Sequence, residues 1–421
     1  SILNYCKVYR FIMKKILIIH TNYQNLGGED TAVENEKYFL SQYYDVKTLY
    51  FQNDVDSFFS QAAAFLTNRN RQSMRALQDE IDKFNPDLAY VHNTWFKGSL
   101  GIFKVLKKNN TKTFLKLHNF RYHCTKSFFS SNHLGSKNLT SPKLGQNKIY
   151  CLACGANSES LGFFNKYYSN SYFKSFLVNL YGRKYFEYLK KGNIKIFVLT
   201  NFHRKFLLEI GVEEKRVVVF PNYLPKTQKS DETSSKTDNY LVYAGRVSEE
   251  KGVKELIESF LDAENKNVDL KIIGNGPILK MLKEKYKNLE NSRIEFLGEI
   301  ENHKVLDIIK NSKGVVTSTK LLEGQPMLLC EASILGVPSI FPKSGGISEF
   351  FPKNYSLSFD QFDYNQLKSK INYLTSGENF SNQKVVDIKS QKSLGAKNKE
   401  YIEKYLDKKK LQTSFEEYLN E

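Results

Sequence analysis

Residues 318–351 read STKLLEGQPMLLCEASILGVPSIFPKSGGISEFF, and this stretch decides which fold we predict. A polar loop opens it, and an apolar run extends from Met327 to Leu335. A break follows at Gly336-Val337-Pro338, and the glycine pair Gly345-Gly346 comes near the end. These segments indicate a loop, a helix, a short strand and a glycine turn. Alternating helices and short buried strands are typical of a parallel α/β sheet.

Two carboxylates in this stretch suggest a ligand. Glu323 lies in the loop and Glu331 in the early turns of the helix. The start of a helix offers unpaired backbone N–H groups and the positive end of the helix dipole, which suit a phosphate. Carboxylates beside a phosphate can accept hydrogen bonds from sugar hydroxyls. The implied ligand is a nucleotide sugar, although each glutamate alone could be an ordinary solvated carboxylate.

The whole pattern resembles the donor-binding signature of the retaining glycosyltransferases of family 4. The resemblance rests on the spacing of Glu323 and Glu331, on the strand G-V-P-S-I and on the turn G-G-I-S-E. A second motif is similar to the G-R-x-x-x-x-K-G string of that family, because Arg246 and Lys251 follow a predicted strand at 240–244. One departure is Gln325-Pro326-Met327, since many members of the family have a phenylalanine-glycine pair in this loop.

The resemblance extends from Met13 to residue 390 and implies the GT-B fold, in which two doubly wound Rossmann-like α/β domains face each other across a cleft. Two cores also suit a chain of 421 residues. We expect the following divisions of the chain: an N-terminal extension at 1–12, an acceptor-side domain at 13–225, a linker at 226–239, a nucleotide-sugar-binding domain at 240–390 and a C-terminal helix at 391–421 that braces the first domain.

The resemblance also implies roles for the residues of the second domain. Arg246 and Lys251 would hold the donor diphosphate, and their charge would stabilise the departing nucleotide without a metal ion. Glu323 would bind the sugar hydroxyls and act at the catalytic centre, and Glu331 would bind the ribose. The turn at Gly345 and Gly346 would approach the nucleotide.

Two polar segments of the first domain follow predicted strands. Gly27 and Gly28 come after a strand at 15–20 and permit close approach of the backbone to a ligand. An ordinary tight turn is the alternative. His118 and Asn119 come after a strand at 112–117, and a histidine can act there as a base or a hydrogen-bond partner. The resemblance implies that His118 is catalytic and that the glycine pair lies near the donor. A purely structural histidine is the alternative.

Asn93 and Trp95 follow another predicted strand, at 87–92, and are candidates for the acceptor surface together with Asn119. Trp95, the only tryptophan, could equally be a core aromatic residue. The long polar segment 120–164 contains Cys124, Cys151 and Cys154. Their spacing suits part of a structural zinc site, with ordinary thiols or a labile disulfide as the alternatives.

The net charge of +17 calls for an anionic partner, and no nucleic-acid-binding motif accompanies it. An anionic membrane surface or an anionic substrate is therefore favoured. The basic, aromatic segment 165–191 could lie on such a membrane or pack as a helix on a core. The chain has no apolar run long enough to span a membrane, no secretory signal, and an odd number of cysteines. These features predict a cytoplasmic protein at the inner face of the cell membrane.

The resulting hypothesis is a retaining transferase that takes a sugar from a UDP- or GDP-sugar and requires no cofactor. Its acceptor would be a glycan or lipid-linked hydroxyl in bacterial surface polysaccharide synthesis. A sugar-nucleotide epimerase on the same scaffold is the main alternative. A basic nucleic-acid-binding protein is less favoured because the Arg246, Lys251, Glu323 and Glu331 set is complete.

Overall fold

A computed structural model describes nine ranges of the chain, namely 13–22, 28–52, 66–95, 97–122, 171–225, 238–264, 267–287, 293–376 and 388–421. The chain divides into two compact units. The first comprises Ser1–Leu117, Gly192–Phe197 and Ser414–Glu421. The second comprises His118–Lys191 and Val198–Thr413. The domain limits expected at residues 225 and 240 stay predictions.

Six strands form the first sheet, in the order β2-β1-β3-β4-β5-β6. The strands are β1 (Lys15–Asn22), β2 (Asp45–Gln52), β3 (Leu88–Val91), β4 (Lys112–Leu117), β5 (Lys195–Val198) and β6 (Val217–Val219). The pairs β1–β2, β1–β3 and β3–β4 are parallel. Parallel strands of this kind are buried on both faces, which explains the continuous apolar run Ile16–Ile19 in β1.

Six further strands form the second sheet, in the order β12-β11-β10-β7-β8-β9. The strands are β7 (Tyr240–Ala244), β8 (Asp269–Ile273), β9 (Ile294–Gly298), β10 (Gly314–Val316), β11 (Ser339–Lys343) and β12 (Ser358–Asp360). Gly314 in β10 pairs in parallel with Leu241 in β7. The strand order reverses between these two strands, and open α/β sheets bind ligands at the carboxyl ends of the strands at such a point.

Helices connect the strands of both sheets. In the first half of the chain they are α1 (Gly28–Leu40), α2 (Arg71–Phe84), α3 (Gly101–Lys108), α4 (Tyr172–Lys191) and α5 (Asn201–Glu209). In the second half they are α6 (Val253–Leu261), α7 (Leu279–Tyr286), α8 (Asn302–Lys310), α9 (Met327–Ile334), α10 (Tyr364–Thr375), α11 (Ile388–Tyr405) and α12 (Lys408–Asn420). The prediction of two doubly wound α/β sheets is confirmed.

A buried polar cluster ties α1 to the first sheet. Lys116 of β4 forms an ion pair with Glu36 of α1, and both side chains are inaccessible to solvent. Burial raises the pKa of Glu36 and lowers that of Lys116, while their mutual attraction opposes both shifts. His20 at the end of β1 bonds to Asp30 of α1 at 2.9 Å. These contacts fix the carboxyl end of β4, the strand that leads to His118.

The last part of the chain differs from the prediction of one C-terminal helix at 391–421. Two helices, α11 and α12, are present because Asp407 ends the run between them. Its carboxylate accepts a hydrogen bond from the backbone N–H of Lys410 at 2.9 Å, and this bond caps the start of α12. Phe415 of α12 is fully buried in the first unit.

The basic, aromatic helix α4 belongs to the second unit, and it exposes Phe173 and Phe176 but buries several other apolar side chains. Leu177, Val178, Tyr181 and Leu189 are all buried. This burial favours the interpretation of α4 as a helix that packs on a core, and contact of α4 with a membrane stays a prediction. In the part of the chain that the structure describes, no helix is both long and apolar enough to cross a membrane.

Candidate functional site

The two motifs singled out in the second half of the chain meet at the reversal point of the second sheet. Arg246 and Lys251 follow β7, and the loop carrying Glu323 follows the neighbouring strand β10. The Lys251 Nζ atom lies 2.5 Å from Oε1 of Glu323. Both side chains are partly exposed, at 30% and 24% of their surface. An ion pair that water and a ligand can reach therefore stands where a doubly wound sheet binds its ligand.

The backbone around this ion pair is held by two glycines with left-handed conformations. Gly252, at φ +69°, lies so close to Ser318 that an added Cβ would come 2.2 Å from the Ser318 carbonyl oxygen. Gly345, at φ +57°, would place a Cβ 2.2 Å from the Glu323 carbonyl oxygen. The next residue, Gly346, donates its N–H to that oxygen at 2.9 Å. Only glycine fits at either position without displacing the loop.

Arg246 lies on the exposed side of the same edge. Its carbonyl oxygen accepts a hydrogen bond from the buried Tyr243 hydroxyl at 2.8 Å. Burial raises the pKa of Tyr243, so this hydroxyl stays a neutral donor. Among the described residues, no carboxylate pairs with the Arg246 guanidinium. The group is therefore available to an anion, which an arginine can bind through two parallel hydrogen bonds.

Glu331 occupies the second turn of α9 and has a different environment from Glu323. Burial raises its pKa to about 7. In the described parts of the chain, no donor bonds to its carboxylate. Glu331 is partly exposed to solvent. A carboxylate that is largely removed from water without a partner is costly, and hydroxyl groups of a ligand could relieve that cost by donating to it.

His118 and Asn119 follow β4, as the sequence predicts, and belong to the second unit. A Cβ added to Gly324 would lie 3.5 Å from the carbonyl oxygen of His118. The backbone of His118 therefore lies beside the residue that follows Glu323. Asn119 accepts a hydrogen bond from the backbone N–H of Arg121 at 2.9 Å, so its side chain shapes the turn after the strand.

Gln325, which departs from the family pattern, has a structural role that the sequence did not reveal. Its Oε1 atom accepts the backbone N–H of Asn222 at 2.6 Å, and its Nε2 atom donates to the Asn222 carbonyl at 3.1 Å. Both residues are buried. The side-chain amide thus satisfies both backbone groups of Asn222 and holds the Glu323 loop to the Pro221-Asn222 turn.

We expect Gln325→Leu to lower the free energy of unfolding by about 2 kcal/mol, because it leaves the buried N–H and C=O of Asn222 without partners. Thermal unfolding followed by circular dichroism measures the change. Gln72→Leu is the matched control, since Gln72 is exposed on α2 and should show no comparable loss. Equal stability of the two variants would contradict the role given to Gln325.

Glu349 is a second residue whose role sequence reasoning missed. Its carboxylate accepts the backbone N–H groups of Asn201 and Phe202, both at 2.8 Å, at the start of α5. Gly346 approaches the same helix start, where an added Cβ would come 2.4 Å from the Thr200 side chain. The Gly345-Gly346 turn therefore supports α5 as well as Glu323. The sequence signal was available, since a carboxylate favours a helix N-terminus, but nothing local linked Glu349 to α5.

The other predicted residues lie elsewhere. Gly28 begins α1 with nothing within 4 Å of an added Cβ. Asn93 and Trp95 are buried in the first unit. The Asn93 amide donates to the carbonyl of Thr21 at 2.8 Å. Four predicted residues lie outside the described ranges, namely Gly27, Cys124, Cys151 and Cys154. The acceptor and zinc assignments stay predictions.

Residues 226–400, less than half of the chain, match the family model described as "Glycosyl transferases group 1". The matched range contains Arg246, Lys251, Glu323, Glu331 and the Gly345-Gly346 turn. It excludes His118 and the acceptor-side candidates.

Two curated proteins are similar to parts of the chain. The amylovoran biosynthesis glycosyltransferase AmsD of Erwinia amylovora is 28% identical over 152 residues, a match that covers 35% of this chain and 42% of that protein. The putative teichuronic acid biosynthesis glycosyltransferase TuaC of Bacillus subtilis (strain 168) is 31% identical over 116 residues, which cover 28% of each. The chain spans less than half the length of either curated relative.

The solved structure of Anabaena HepE in complex with UDP and glucose matches almost the whole chain. Its TM-score is 0.62 at 14% identity, and the match covers 97% of this chain and 99% of that one. At this identity the likeness shows the fold alone. Together with the two parallel sheets it confirms the predicted GT-B fold class.

Proposed function

We propose that the protein is a retaining glycosyltransferase that takes a sugar from a UDP- or GDP-sugar donor. The observation that carries this proposal is the contact of Lys251 with Glu323 at the reversal point of the second sheet, with Arg246 on the same edge. A diphosphate needs cations, and a sugar needs hydrogen-bond acceptors. The match of residues 226–400 to a glycosyltransferase family and the UDP bound to HepE support the same reading.

Each residue would contribute in a different way. Arg246 and Lys251 would bind the diphosphate and stabilise the charge that it gains when its bond to the anomeric carbon breaks. Glu323 would accept hydrogen bonds from the hydroxyls of the transferred sugar. Glu331 would accept those of the ribose. His118, whose backbone lies beside Gly324, would meet the sugar from the other side of the Glu323 loop.

A donor screen tests the proposal. A nucleotide sugar that binds the folded protein raises its melting temperature, and a panel of UDP- and GDP-sugars would identify the base and the sugar. Transfer to an acceptor, with the anomeric configuration followed by NMR, would then establish retention. Conversion of the donor in the absence of any acceptor would favour the epimerase instead. A panel without any stabilising nucleotide sugar would contradict the proposal.

The raised pKa of Glu331 predicts how donor binding depends on pH. Ribose hydroxyls form stronger hydrogen bonds to an ionised carboxylate than to a neutral carboxylic acid, and burial raises the pKa of Glu331 to about 7. The affinity for a nucleotide sugar should therefore rise up to about tenfold between pH 6 and pH 8. Calorimetric titration at several pH values measures this rise. Glu331→Gln should flatten the profile, and a flat profile in the wild type would argue against ribose binding by Glu331.

The acceptor is proposed to be a hydroxyl of a growing surface glycan carried at the inner face of a membrane. Two observations support this acceptor. AmsD and TuaC are described as glycosyltransferases of amylovoran and of teichuronic acid biosynthesis, and this chain has a net charge of +17. Binding to vesicles that contain anionic lipid, weakened by added salt, is the expected result. Equal binding to neutral vesicles would argue against the charge-based part of this proposal.

A further inference from the structure

We infer that Thr319 is a positioning residue, which orients the carboxylate of Glu323 toward the transferred sugar. The Thr319 hydroxyl lies 2.8 Å from Oε1 of Glu323, the same oxygen that Lys251 contacts at 2.5 Å. Thr319 itself is 3% exposed, so the hydroxyl supports the carboxylate from inside the protein. The inference rests on the proposed function, since it assigns a specific task within that site.

The direction of this hydrogen bond follows from the second contact of the hydroxyl. The backbone N–H of Leu321 donates to the Thr319 oxygen at 3.3 Å. The hydroxyl therefore accepts from the backbone, and its own hydrogen is left for Glu323. With Oε1 engaged by Thr319 and Lys251, the other oxygen, Oε2, has no donor among the described residues. That oxygen is the one left for a ligand hydroxyl.

Thr319 is in turn held in place by Gln361, which follows β12. The Gln361 amide nitrogen lies 3.1 Å from the Thr319 carbonyl oxygen and 3.2 Å from that of Leu321. It also lies 2.9 Å from the hydroxyl of Ser344, the residue before the glycine pair. One buried amide thus links the loop that carries Thr319 to the turn that holds the backbone of Glu323.

This arrangement separates recognition of the sugar from recognition of the nucleoside diphosphate. When a diphosphate is bound, Lys251 divides its attraction between the phosphate and Glu323, so the ion pair alone would hold the carboxylate less firmly. The bond from Thr319 does not depend on the diphosphate. Loss of the hydroxyl should therefore weaken recognition of the sugar and leave recognition of the nucleoside diphosphate unchanged.

The test compares Thr319→Val, which loses the hydroxyl, with Thr319→Ser, which keeps it. A hydrogen bond to a charged group has an effect equivalent to about 10- to 100-fold in a rate or binding constant. We expect kcat/KM for the nucleotide sugar to fall by about that factor in Thr319→Val, with most of it restored in Thr319→Ser. The affinity for UDP or GDP should change less than about twofold. Thr317→Val is the matched control, because Thr317 is a partly buried threonine two residues earlier.

A double-mutant cycle keeps the inference testable even if the valine variant is less stable. If Thr319 acts through the carboxylate, Thr319→Val should cost little further activity in a Glu323→Ala background, in which no side-chain oxygen is left to accept the hydroxyl. Unchanged kcat/KM in Thr319→Val, an equal loss of nucleoside diphosphate affinity, or additive losses in the double variant would each overturn the inference. Those results leave the proposed function intact. A wild-type protein that binds no nucleotide sugar would overturn both.

Discussion

Glu323→Ala and Lys251→Ala should each leave a folded protein whose kcat/KM for a nucleotide sugar is about 100- to 1,000-fold below that of the wild type. Removing one group that stabilises developing charge in a preorganised site typically has an effect of this size. Lys251→Ala removes a cation from the diphosphate and leaves Glu323 without its charged partner. Glu323→Ala removes the acceptor for the sugar hydroxyls and frees Lys251 from its ion pair.

The chain offers a matched control for this experiment. Lys320 and Glu255 form another ion pair, at 2.6 Å, whose side chains are exposed to 23% and 21%. Lys320 lies in the same loop as Glu323, so Lys320→Ala and Glu255→Gln test whether any half-buried charge in this region matters for activity. We expect kcat/KM for the nucleotide sugar in both control variants to stay within a few-fold of the wild-type value. Full activity of Lys251→Ala or Glu323→Ala would refute the site assignment.

Phe415→Ala should destabilise the first unit by about 3 to 5 kcal/mol, the usual cost of removing a buried phenylalanine ring. Phe415 lies among the aromatic rings of Tyr44, Tyr90, Phe114 and Phe197, whose centroids are 5.5 to 6.3 Å away. Aromatic pairs at such distances add to the stability gained from burial alone. The side chain therefore lies at the centre of an aromatic core.

The only tryptophan allows this loss to be measured where it occurs. Trp95 belongs to the first unit and is 2% exposed, so its fluorescence should report the unfolding of that unit in a denaturant titration. Phe415→Leu should lower the free energy of unfolding less than Phe415→Ala does. Lys409→Ala, at an exposed position of α12, should not change it measurably. A Trp95 transition at the same denaturant concentration in wild type and Phe415→Ala would contradict the packing argument.

Local pattern was sufficient to predict parallel α/β sheets and the residues that flank single strands, and the resemblance to a known family supplied the GT-B fold. The buried runs at 15–20 and 240–244 predict parallel strands because both faces of such strands are apolar. Arg246, Lys251 and Glu323 could be placed at strand ends for the same reason. The contact between Lys251 and Glu323 could not be predicted from local pattern, because the two residues are 72 positions apart. They pair only because β7 and β10 are neighbours in the sheet.

The sequence did not predict the residues that hold the site in place, because their partners are far away in the sequence or because they carry no motif. Gln325 bonds to Asn222, 103 residues earlier, and an isolated glutamine gives no sign of such a contact. Thr319 carries no motif of its own. The break before α12 was different, because Asp407 is a recognised capping residue type. There the periodic apolar residues on both sides of Asp407 favour one continuous helix, whereas the capping bond from its carboxylate starts a second one.

The position of Phe415 also bears on the biosynthesis of the protein. Residues 414–421 complete a unit whose other residues all precede residue 198. A ribosome adds roughly 5 to 20 residues per second, so about 200 residues of intervening chain delay that completion by roughly 10 to 40 seconds. During this interval Tyr44, Tyr90, Phe114 and Phe197 lack the ring that fills the space between them. The nascent chain should therefore depend on chaperones that shield exposed aromatic surface until translation has passed α12.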